Sequence, residues 1–207
     1  MKRLLGAAAF GYLVGSVSFA DLVARRAGHL DLRTLGSGNP GALNARRVLG
    51  ARAGVAVGLG DVGKGVAACA VGRVLAGDAG GHVGGVAAVT GHCFPVWTRG
   101  RGGKGVATSF GQCLVMFPAF APLDVAIATA AARVPGVRHR AFASVAASSL
   151  AWVLAGIVWW RRDWPHLWGA RPSAALPLAN GTTVAVLASR AAVMLARGEP
   201  DELALSW

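Results

Sequence analysis

Apolar residues in this chain gather into seven blocks, near 4–24, 53–76, 83–98, 106–121, 123–134, 141–160 and 174–196, and the stretches between them hold most of the charges. Blocks of this kind predict membrane-crossing helices, although some are shorter than the roughly 20 residues that a perpendicular span needs. Pro118 and Pro122 fall where two short blocks meet, and they predict two short helices joined by a tight turn. Frequent Gly and Ala in the blocks permit close helix packing in lipid. The expected fold is therefore an all-α integral membrane protein of about seven transmembrane helices, one domain over residues 1–207, with glycine-rich loops forming the site. The first block, "MKRLLGAAAFGYLVGSVSFAD", has the basic start and small residues of a signal peptide. It reads as a retained first span because further apolar blocks follow it.

Composition supports this pattern. Of 207 residues 54% are hydrophobic and 14% charged, and the mean hydropathy is +0.51; soluble domains are about 25% charged. The net charge of +12 changes the picture, because it raises the question of a nucleic-acid partner. The basic residues are scattered between spans, which instead matches the positive-inside rule and contact with anionic lipid headgroups. With the N-terminus outside, loops 25–52, 99–105 and 133–140 share the inner face with Arg190 and Arg197, and that face holds most of the Lys and Arg. Lys2 and Arg3 run against this orientation. Cys69, Cys93 and Cys113 have no metal-ligand spacing, and the acidic residues are few, so no metal site is expected.

Three inner loops carry candidate chemistry. The first reads "LGSGNPGALNARRVLG" over residues 35–50. Gly36, Gly38 and Gly41 allow tight turns and close ligand approach. Ser37, Asn39 and Asn44 offer hydrogen bonds, and Arg46 and Arg47 offer guanidinium forks suited to phosphate. The plainer alternative is a helix-joining turn followed by a basic cluster. The second loop belongs to "GHCFPVWTRGRGGKGVAT", residues 91–108. Glycine-freed N–H groups at Gly102, Gly103 and Gly105, with Lys104, Arg99 and Arg101 beside them, make a phosphate nest. It is not a Walker A loop, because Gly105 rather than Ser or Thr follows the lysine, so an ATPase is disfavoured. His92 and Thr108 stand at its ends; His92 can be a base, a ligand or a packing residue. The third loop reads "RHRAFAS", residues 138–144, where Arg138, Arg140 and Ser144 either complete a phosphate site or anchor the helix to the inner face.

Between the first two loops, the second span carries "DVGKG" at 61–65. Asp61 and Lys64 share one helical face, where a structural ion pair is the simplest reading and an auxiliary role near the site the other. Of 21 basic residues only Lys2, Lys64 and Lys104 are lysine. That bias suggests that Lys64 and Lys104 are needed as compact ammonium groups. No Ser-His-Asp array or zinc spacing stands out.

Together these motifs resemble the acyl-phosphate:glycerol-3-phosphate acyltransferase family, PlsY. The resemblance rests on "GSVSF" at 15–19, "GSGNPGALNARR" at 36–47, "DVGKG" at 61–65 and "GHCFPV" to "GGKGVAT" at 91–108, in the family's order. It implies a seven-helix inner-membrane enzyme of phospholipid biosynthesis. Such an enzyme moves a fatty acyl group from acyl-phosphate to the sn-1 hydroxyl of glycerol 3-phosphate, giving lysophosphatidic acid and phosphate. It implies no cofactor, no metal and no nucleic acid; the partners are the two substrates and membrane lipids. By motif position it implies catalytic roles for Ser37, Arg47, Lys104 and His92. Phosphate binding falls to Gly36, Gly38, Asn39, Gly102, Gly103, Lys104, Gly105, Arg138 and Ser144, with Asp61 and Lys64 auxiliary. The chain departs from the family near its C-terminus. The usual His-x-x-Asn-Ile-x-Arg-Leu has become "ASRAAVMLARGEP", residues 188–200, without the His and Asn. The alternative reading is accordingly a catalytically impaired paralogue that binds a lipid or phosphate ligand.

Overall fold

The computed structural model describes residues 1–137 and 139–198, which form helices and loops with no strand among them. The helices are α1 (Lys2–Gly15), α2 (Phe19–Arg26), α3 (Ala42–Leu49), α4 (Ala51–Cys93), α5 (Val106–Met116), α6 (Ala121–Ala132), α7 (Arg140–Arg162) and α8 (Ala175–Ala196). Four stretches are long and apolar enough to cross a membrane, and five if the bent pair of α5 and α6 counts as one.

Every apolar block becomes helix, with three differences from the sequence pattern. The first block breaks into α1 and α2, because Ser16 turns its hydroxyl back onto the Tyr12 carbonyl at 2.8 Å and Ser18 starts a new helix by accepting from the Asp21 N–H at 3.2 Å. The second and third blocks are two helices as expected, the two limbs of α4, but no loop separates them: the chain breaks at Ala76 and Gly77 (φ 62°) and folds straight back, so that residues 78–93 run alongside 51–75. The loop 25–52 contains a helix of its own, α3, held by a buried cluster of Ala20, Ala24, Leu32, Ala45 and Val57. The turn expected at Pro118 is present, and the chain bends there by 118° between α5 and α6.

Glycine fixes how closely these helices approach. A Cβ on Gly11 or Gly15 of α1 would overlap the Gly84 or Ala88 backbone of α4. One on Gly65 or Gly111 would likewise overlap the facing backbone of α5 or α4. This packing sets α1, both limbs of α4 and α5 around the glycine loop.

Candidate active site

The first loop is organised by one buried side chain. Asn44, at the start of α3, accepts from the Ser37 N–H at 2.9 Å and donates to the Leu32 and Leu35 carbonyls at 2.9 Å each. Gly36 (φ +60°) is required here, because a Cβ would run into the Asn44 carboxamide. Ser37 and Asn39 are thereby held buried, with the Asn39 N–H 3.4 Å from Ser37 Oγ. Arg33 ties this loop to the others. Its guanidinium makes a bidentate pair with Asp21 at 2.7 and 3.1 Å, and its Nε donates to the Arg101 carbonyl at 2.9 Å. Burial alone lowers the Arg33 pKa, but its hydrogen bonds and charge pairing with Asp21 and Asp31 carry it above the ordinary value, so this tether stays charged.

The fold-back of α4 brings Asp61 of one limb to His92 of the other. Lys64 Nζ lies 2.9 Å from Asp61 Oδ1 and donates to the Val17 carbonyl at 2.9 Å. His92 Nδ1 stands 3.5 Å from the same carboxylate oxygen and 3.1 Å from Thr108 Oγ1. All four residues are buried. A carboxylate shared between an ammonium and an imidazole fixes the ring's orientation and leaves Nε2 facing the glycine loop, against Gly103.

The loop itself is clamped from two sides. On one side the His92 carbonyl accepts from the Gly103 N–H at 3.1 Å. On the other, Arg190 of α8 donates through Nη2 to the Gly102 carbonyl at 2.7 Å and through Nε to the Gly103 carbonyl at 3.3 Å. Gly105 (φ +84°) then turns the chain into the N-terminus of α5, where free N–H groups and the helix dipole favour an anion. The Lys104 ammonium lies 5.6 Å from the centre of the Phe142 ring.

Two cavities flank this loop. One is a groove of about 450 Å³, within the roughly 300–1,000 Å³ range of ligand sites. It is polar at the end formed by Asn39, His92, Lys104 and Gly105, and apolar where Phe110, Val125, Ala128 and Val145 of α5, α6 and α7 meet. The other, of about 390 Å³, is lined by Arg33, Gly38, Pro40, Arg101, Gly102, Arg190 and Arg197.

The sequence-derived candidates therefore converge in most cases. Asn39, Asp61, His92, Lys104, Gly105 and Ser144 line the groove, and Gly38 and Gly102 line the basic cavity. Lys64 and Gly103 sit behind them, and Asp61 and Lys64 form the expected ion pair. Gly36 and Ser37 lie in the Asn44-bound turn, while Arg47 is half-buried on α3 and lines neither cavity. The Ser144 hydroxyl donates to the Ala128 carbonyl at 2.7 Å, which joins α7 to α6 at the groove wall. Arg138 lies outside the described residues. Sequence reasoning missed the organising part of Asn44, the Asp61–His92 contact and the hold of Arg190 on the loop. Only the last had a visible signal, a basic residue in an apolar helix.

Comparison with known proteins points one way. A family model described as glycerol-3-phosphate acyltransferase matches residues 5–197. A glycerol-3-phosphate acyltransferase of Exiguobacterium sibiricum is 47% identical over 118 residues, 57% of this chain and 57% of that protein. One from Maricaulis maris is 42% identical over 160 residues, 77% of this chain and 72% of its own length. The chain thus spans less than two thirds of the Exiguobacterium relative. The crystal structure of PlsY (YgiH), an integral membrane glycerol 3-phosphate acyltransferase, in its glycerol 3-phosphate form superposes with a TM-score of 0.75 at 27% identity, covering 95% of this chain and 93% of that one. The lysophosphatidic acid form gives 0.73 at 26% identity with the same coverage. This chain is an all-α integral membrane protein, and it belongs to the glycerol-3-phosphate acyltransferase family.

Proposed function

We propose that this protein transfers a fatty acyl group from acyl-phosphate to the sn-1 hydroxyl of glycerol 3-phosphate, releasing lysophosphatidic acid and inorganic phosphate for phospholipid synthesis. One observation carries the reading: a glycine loop bearing Lys104 stands between an apolar groove and a cavity walled by arginines. An acyl-phosphate is a tail with a phosphate at its end, which suits the groove and the loop. A small soluble phosphate ester suits the basic cavity.

The reaction needs positioning more than a protein nucleophile, because the acyl group arrives activated. The glycerol hydroxyl oxygen attacks the acyl carbonyl carbon and forms the ester bond. The bond from that carbon to the phosphate oxygen breaks, phosphate keeps the electron pair, and the hydroxyl proton passes to a phosphate oxygen. Lys104 and the N–H groups at the start of α5 offset the charge that builds on the leaving phosphate. His92, oriented by Asp61 and Thr108, braces Gly103 so that this geometry is set before substrate arrives. Asn39 contacts phosphate from the first loop, with Gly36 and Gly38 giving the backbone its turns, and Ser37 and Arg47 support that loop from outside the two cavities. Ser144 acts at the groove wall, where its hydroxyl joins α7 to α6, and Arg138 supplies positive charge for phosphate.

In the orientation favoured by the basic loops, the N-terminus is outside and the glycine loop faces the cytoplasm of a bacterial cell, in its cytoplasmic membrane. Seven crossings follow when both limbs of α4, and α5 and α6 separately, each traverse part of the bilayer. The test is phosphate release by the purified protein with acyl-phosphate and glycerol 3-phosphate. Wild-type turnover is expected, with a loss of about 10²–10³-fold in Lys104→Ala. Release no greater than that of Lys104→Ala would overturn the enzyme reading in favour of a paralogue that binds without turnover.

A further inference from the structure

The C-terminal helix reaches the glycine loop through a residue that the family resemblance does not assign. The stretch 188–200 lacks the His and Asn expected of it, yet Arg190 is 3% exposed and places its guanidinium across two successive carbonyls of the loop. One planar fork on Gly102 O and Gly103 O fixes both peptide planes, which a lysine's point charge does not do. In a trans peptide the N–H points opposite to its C=O. Of the two N–H groups set in this way, that of Gly103 is taken by the His92 carbonyl. The other, that of Lys104, is turned away from Arg190. Arg190 lines the basic cavity, whereas Lys104 and Gly105 line the groove.

The geometry points to Arg190 as a positioning residue for acyl transfer. It aims the Lys104 N–H, and the loop that carries the Lys104 ammonium, at the phosphate leaving the acyl carbon, and so replaces part of the wall that the missing His and Asn would form. This inference rests on the acyltransferase reading above. It also explains why an arginine sits buried in an otherwise uncharged span, where a charge is costly unless it meets backbone carbonyls or a polar cavity.

The experiment compares full-length wild type, Arg190→Ala and Arg190→Lys, purified in detergent. It measures kcat, KM for each substrate, the thermal midpoint, and kcat with millimolar guanidinium added. Arg190→Ala is expected to lose about 10² in kcat with KM for glycerol 3-phosphate nearly unchanged. Guanidinium entering from the adjacent basic cavity should restore much of that loss and leave the wild type unaffected. Arg190→Lys keeps the charge and the stem but loses the fork, and it should fall about tenfold in kcat even if Arg190→Ala does not fold. Wild-type kcat in Arg190→Lys overturns the inference. So does a kcat loss in Arg190→Ala that guanidinium does not relieve and that follows a lowered thermal midpoint. An inactive wild type would instead overturn the acyltransferase reading and this inference with it, a result distinct from an active wild type insensitive to Arg190.

Discussion

At the end of the bundle that carries the glycine loop, buried polar side chains meet one another: Asp61 with Lys64 and His92, Asn44 with three backbone groups, and Arg190 with two carbonyls. At the other end, where α4 turns back at Ala76 and Gly77, rings meet rings. Phe117 stacks on His166 at 4.7 Å and meets Trp159 edge-on at 5.3 Å, and Trp159 meets Trp164 at 4.8 Å. The ion pair there, Arg73 with Asp78 at 3.2 Å, is partly exposed. Helix α5 joins the two ends, with Gly105 at one and Met116 at the other. Polar groups in a low-dielectric interior are directional and demand partners, so they fix atoms in place. Ring packing holds helices together with looser geometric demands. The contrast assigns precision to the loop end and cohesion to the far end.

The largest effect is expected from breaking the polar end at its hub. Asp61→Ala leaves Lys64 and His92 buried around a missing carboxylate, and loss of one partner of a buried pair costs about 3–5 kcal/mol. Thermal unfolding in detergent should show a strongly lowered midpoint. Replacing both members, Asp61→Leu with Lys64→Met, should recover much of that stability but not phosphate release, because His92 has lost its orienting carboxylate. Recovery of both would show that the hub serves stability alone. The matching disruption at the aromatic end is smaller. Phe117→Leu gives up the ring contacts with Phe120, Trp159 and His166, each worth about 0.5–1.5 kcal/mol. The midpoint should fall while kcat per folded molecule stays near wild type; a kcat loss as large as that of Lys104→Ala would erase the distinction between the two ends.

How much of each end could be read from sequence follows from the same contrast. The glycine loop, Lys104 and the Asp61–Lys64 pair were legible because the chemistry is local: residues within a few positions of one another form the nest and share the helical face. The Asp61–His92 contact was not: the blocks 53–76 and 83–98 give two successive spans, but the pattern does not say that residue 61 of one limb faces residue 92 of the other. Asn44 looked like one more loop donor, and its role emerged only once α3 placed it under the Ser37 turn. The span pattern gave the helices and the Pro118 bend, but Ser16 and Ser18 divide the first block by local hydrogen bonds that hydropathy does not register. The aromatic end carried no motif, because Phe117, Trp159 and His166 are brought together by the α5–α6 bend and the loop after α7.

The smallest expected effect concerns that loop and its response to acid. Burial against Phe117 pushes the His166 imidazole below its ordinary pKa of 6.5, while the Ala170 backbone and the Asp78 carboxylate pull the other way without reversing the shift. His82 and Arg73, packed nearby, add no stabilisation for a second positive charge. With the folded-state pKa depressed, the unfolded chain binds the proton more readily. Stability is therefore unaffected by His166 above about pH 6.5 and declines as pH falls below it toward the folded-state value. Thermal midpoints measured from pH 7.5 down to pH 5 should show this decline at the aromatic end, and His166→Phe, which keeps a ring against Phe117, should flatten it. An equal decline in His166→Phe would assign the acid sensitivity to the other buried imidazoles, His82 at the same end and His92 beside Asp61 at the loop end, and not to His166.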